Sequence, residues 1–79
     1  MACINPDGTL SVVARDLLLL LETPQTAEAS ARALDLPLFR IRATVRELSR
    51  AGLIDRTAET LSRTDLGSEA LILDAESER

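Results

Sequence analysis

The sequence predicts a mainly α, α+β domain with three helices, a short two-stranded hairpin and a C-terminal helix. Two observations lead there. Apolar residues recur at helical spacing in stretches bounded by capping and stop residues. Two short runs, LIDRT and LSRT, read instead as strands on either side of a turn.

The elements follow in order. "NPDG" at residues 5–8 has Asn, Pro, Asp and Gly at the four positions a type I turn favours, so residues 1–10 form an N-terminal arm with a turn. Ala2, Cys3 and Ile4 form a short extended piece ahead of it. Ser11 caps a first helix at 11–22, which ends before Pro24 because a residue preceding proline is biased away from helical geometry. Thr26 caps a second helix at 26–35, with Glu28 in its first turn where a negative charge suits the dipole. Pro37 opens a third helix at 37–51, stopped by Gly52. Its stripe of Leu38, Ile41, Val45 and Leu48 faces the core; Phe39, Ala43, Arg46, Glu47 and Arg50 face away, with Arg40 and Arg42 towards the edges. Residues 53–63 form the hairpin, joined through "AET". Thr64 caps a last helix at 65–76, and the "ESER" tail is expected to fray.

With 79 residues the chain is one domain, 1–79, small enough that its core is marginal. Phe39 is its one aromatic residue, so bulk must come from Leu, Ile and Val. One cysteine and no histidine leave no disulfide and no usual metal set, which makes oligomerisation the expected support. No lysine, no histidine and no glycine-rich phosphate loop are present, so the chain is not expected to be an enzyme or to hold a cofactor.

The run "LLLLL" at 17–21 is bracketed by Arg15, Asp16 and Glu22, well short of the roughly 18 apolar residues of a membrane span. Without a basic segment ahead or a small-residue cleavage site behind, it does not read as a signal sequence. A cytoplasmic protein with Cys3 as a free thiol is expected. As a helix the run is apolar nearly all round, which demands burial on more than one side. A homodimer built from the first and last helices would supply it, with Leu17, Leu18, Leu21, Leu71 and Ile72 at the interface. The alternative is a monomer core.

The net charge of −4 is unevenly spread: residues 37–56 carry five arginines against Glu47 and Asp55, net +3, leaving −7 for the remainder. All nine basic residues are arginine, whose planar fork suits phosphate and guanine.

Residues 26–54, "TAEASARALDLPLFRIRATVRELSRAGLI", resemble the winged helix-turn-helix segment of MarR-like and related bacterial transcriptional regulators. Thr26, Ala31, Leu34, Leu36, Pro37, Ile41, Val45, Leu48, Gly52, Leu53 and Ile54 fit its pattern in register. "RTDLG" at 63–67 is similar to the L-T-x-x-G that follows the wing in many members, with Arg63 in place of leucine. Ser30 stands where the family usually has a large apolar residue, and the wing tip carries Glu59 rather than a basic residue. The resemblance implies a small dimeric DNA-binding regulator whose third helix lies in the major groove of double-stranded DNA. Phe39, Arg40, Arg42, Ala43 and Arg46 would be its reading positions and Arg50 a phosphate contact, with Arg56 and Arg63 on the wing. A protein-interaction module or accessory subunit is the alternative, which the acidic body suits.

Overall fold

Seven elements follow one another in the computed structural model, which describes residues 3–77. They are α1 (Val12–Leu20), β1 (Gln25–Thr26), α2 (Ala27–Leu34), α3 (Leu38–Arg50), β2 (Ile54–Thr57), β3 (Thr60–Arg63) and α4 (Asp65–Ser77). Four helices and a three-stranded antiparallel sheet make a mixed α+β arrangement, with strand order β1-β3-β2.

The third strand corrects the expectation of a two-stranded hairpin. Gln25 pairs with Leu61 and Thr26 with Thr60, on the edge of β3 opposite β2. Pro24 keeps the chain extended after α1, and the extended residues satisfy their backbone groups on β3. The hairpin tip is also tighter than "AET", because Thr60 pairs with Thr57 and only Ala58 and Glu59 connect the strands.

Capping residues set the helix ends. Ser11 Oγ accepts from the Ala14 amide at 3.2 Å, Thr26 Oγ1 from Ala29 at 3.0 Å and Thr64 Oγ1 from Gly67 at 3.1 Å. These residues stand outside their helices. At the other ends Leu21 closes α1, so Glu22 lies beyond it, and Asp35 closes α2 in the left-handed conformation. Pro37 and Ala51 flank α3 rather than belong to it. Helix α4 runs one residue further than expected, through Ser77, so the first two residues of the tail expected to fray are helical. The rest of the tail, Glu78 and Arg79, lies outside the described residues.

In the arm, the Gly8 amide donates to the Asn5 carbonyl at 2.9 Å and closes the turn. The Thr9 hydroxyl and amide both donate to Asp7 and hold its carboxyl below the ordinary aspartate range. Ile4 bridges to Leu10, whereas Ala2, the start of the expected extended piece, is outside the described residues.

Helix α1 is the centre of the core and packs against α2, α3 and α4. Leu17, Leu18 and Leu21 are buried together with Ile41, Leu48 and Leu61. This corrects three of the expected dimer contacts: Leu17, Leu18 and Leu21 are covered by the chain's own helices. Ser30 on α2 is fully buried, its hydroxyl donating to the Thr26 carbonyl at 2.9 Å. Leu71 packs half-buried against the core, while Ile72 is 59% exposed. No helix among the described residues is long and apolar enough to cross a membrane.

Candidate nucleic-acid interface

Helix α3 carries the candidate site because its two faces differ so sharply. Ile41, Thr44, Val45 and Leu48 are buried. Thr44 is the one polar member, and its hydroxyl is satisfied by donating to the Arg40 carbonyl at 2.9 Å. Directly opposite stand Phe39, Ala43, Arg46 and Arg50, spaced by four, three and four residues, which aligns them along one line of the helix. Phe39 is 70% exposed, Ala43 is half-buried, and both arginines are exposed.

Of the grooves along this helix, two flank the outward line, and a third of about 400 Å³ lies at its C-terminal half beside Asp55 and Arg56 of β2. One of the flanking two, of about 650 Å³, lies between α3 and the start of α1 and is bordered by Arg40, Arg46 and Arg50, with Cys3 and Val12 on the far wall. The other, of about 430 Å³, lies between α3 and the β2–β3 hairpin and is bordered by Arg42, Arg46 and Arg56. Arg40 and Arg42 thus flank the outward line on opposite sides. Arg46 faces both grooves.

Among the described residues the one ion pair is Arg15 with Asp74. No described carboxylate is within ion-pair distance of Arg40, Arg42, Arg46, Arg50 or Arg56, so their guanidinium groups keep their donors for another molecule. Two acids nevertheless border the hairpin-side groove: Glu28 in the first turn of α2 and Glu59 at the hairpin tip. Glu28 serves the α2 dipole, and nothing in the local sequence announces its approach to Arg42.

Arg63 does not join this surface. It is half-buried at the end of β3, and its Nη1 donates to the Leu18 carbonyl at 2.9 Å. That carbonyl is in the last turn of α1, where orphan acceptors and the negative end of the helix dipole attract a cation. Arg63 thus stands on the wing strand as expected, but its guanidinium is engaged on α1 rather than open for a contact. Arg56 is exposed on β2, as a contact residue needs to be.

Among the described residues no group of three or more His, Cys, Asp or Glu side chains is placed to hold a metal ion. Compared with known proteins, the chain matches no protein-family model, no curated protein and no solved structure.

Proposed function

We propose that this chain is a winged helix-turn-helix domain that binds duplex DNA as a symmetric dimer and regulates transcription. The single observation that carries the reading is the outward line of α3, where exposed arginines with no ion-pair partner among the described carboxylates border two open grooves. A helix with that face fits the major groove, whose width admits one helix. The element order supports the same reading, with α2 and α3 joined by a short turn and a hairpin following directly.

In this arrangement Phe39, Arg40, Arg42, Ala43 and Arg46 meet base edges, and Arg50 and Arg56 meet phosphates on either side. The Glu59 carboxylate keeps the hairpin tip out of the minor groove, where negative potential is concentrated. The second copy docks through the apolar residues left open on α1 and α4: Val12, Leu19, Leu66, Ile72 and Leu73. Two α3 helices about 34 Å apart would then meet successive major grooves. Glu28 and Glu59 beside Arg42 favour a second reading, in which a partner protein with mixed charge occupies the hairpin-side groove.

Fluorescence anisotropy of a labelled duplex of randomised sequence, at rising salt, separates the two. DNA binding requires affinity that falls linearly with salt on logarithmic axes, by a slope of about 0.9 per phosphate neutralised. Arg50→Ala should weaken binding and flatten that slope. Absence of binding at low salt would leave the partner-protein reading.

A further inference from the structure

The chain's one aromatic side chain is not in its core. Phe39 sits in the first turn of α3 at 70% exposure, at the end of the helix that leads into a groove in the proposed docking. Arg42, three residues on, is its neighbour across one helical turn. The two are ~4.5 Å apart along the helix axis, close to the roughly 3.4 Å between successive base pairs. Ala43, next to Arg42 on the outward line, is too small to hold the helix away from what Phe39 touches.

We infer that Phe39 and Arg42 together read a 5-methylpyrimidine next to a guanine in the major groove, which rests on α3 being the DNA-facing helix. The chemistry of the two side chains differs and each fits one base. The phenyl ring has no donor or acceptor, and the one apolar group a base pair shows in the major groove is the C5 methyl of thymine. A cytosine methylated at C5 offers the same group in the same place. The guanidinium of Arg42 matches the paired N7 and O6 acceptors of guanine. With no described carboxylate within ion-pair distance, the fork keeps both donors for that base. Arg40, on the side of α3 towards α1, lies across the outward line from Arg42 and does not take this role.

The test begins with a pool of duplexes carrying a randomised core, from which the full chain selects its preferred sequence. Each thymine of the selected duplex is then replaced singly by deoxyuridine, which removes the C5 methyl and leaves base pairing intact. One such replacement is expected to weaken binding about fourfold, the weight of burying one methyl-sized group. Putting 5-methylcytosine with its guanine partner at that position should restore binding relative to unmethylated cytosine. Replacing the neighbouring guanine by 7-deazaguanine should weaken binding on the order of tenfold, and much less for Arg42→Ala. Phe39→Ala should bind the thymine and deoxyuridine duplexes alike; because the side chain is exposed, this variant keeps the fold, which circular dichroism checks. Selective binding with no methyl effect in the unaltered chain overturns the inference and leaves the DNA reading standing. A methyl effect that persists in Phe39→Ala also overturns it, since another residue would then be the reader. No binding to any duplex overturns both.

Discussion

The backbone amide of Leu10 donates to Asp74 Oδ1 at 2.8 Å, tying the N-terminal arm to a helix 64 residues further along the chain. Asp74 is 2% exposed, and its second oxygen lies 3.8 Å from Arg15 Nη1. The acid therefore joins the arm, α1 and α4 at one buried point. Removing it strands a buried amide, which costs about 1–3 kcal/mol. In chemical denaturation Asp74→Ala should lose stability of that order, and Asp74→Asn, which keeps an acceptor oxygen, should lose less.

Gly67 fixes how closely α4 approaches the rest of the fold. A Cβ there would overlap the Leu53 carbonyl oxygen and stand 2.9 Å from Arg63 Cγ and 3.3 Å from Leu18 Cδ2. A backbone oxygen cannot swing aside as a side chain can, so α4 would have to shift. Gly67→Ala should destabilise by about 1–3 kcal/mol, the range for overpacking a filled site, even though alanine is the better helix former. Thermal unfolding followed by circular dichroism measures it; an unchanged midpoint would show that α4 is not so tightly seated.

The hairpin tip holds Ala58 at φ 55, a left-handed conformation disfavoured for a residue with a Cβ. The strain there amounts to roughly 1 kcal/mol. Ala58→Gly should relieve it and raise stability by somewhat less, since glycine also gains freedom in the unfolded chain. The effect is readable as a shift in the denaturation midpoint at unchanged slope.

For the proposed dimer, the leucine run divides by position. Leu18 is fully buried, so Leu18→Ala should cost about 2–5 kcal/mol of stability whether the chain is single or paired. Leu19 is 54% exposed and Ile72 59% exposed. Leu19→Glu and Ile72→Glu should turn a dimer into a monomer in sedimentation equilibrium while leaving the helical signal intact. A wild-type chain that sediments as a monomer at micromolar concentration would remove the dimer from the account.

Where the sequence spoke through local chemistry, it could be read. Ser11 and Thr26 cap the helices expected of them, Gly52 takes the positive φ that stops α3, and "NPDG" closes its turn. The outward line of α3 was legible for the same reason, since helical periodicity places Phe39, Arg46 and Arg50 opposite Ile41 and Val45. What was hidden depended on distant partners. Two residues, Gln25 and Thr26, have no periodicity to display, and only the neighbouring β3 makes them a strand. Asp74 and Arg63 look like surface charges until Leu10 and Leu18 are brought to them. In the leucine run the composition was plain, but a helix apolar on nearly every side does not say which leucines its own chain will cover.

In the proposed function, α3 is the face that meets DNA. The backbone amide NMR spectrum of the chain, titrated with a duplex of its selected sequence, tests this most directly. The largest shifts are expected at Phe39, Arg42, Ala43, Arg46 and Arg50, with smaller ones around Arg56, and little change at Leu19 and Ile72. Shifts confined to α1 and α4, or a spectrum the duplex leaves unaltered, would contradict it.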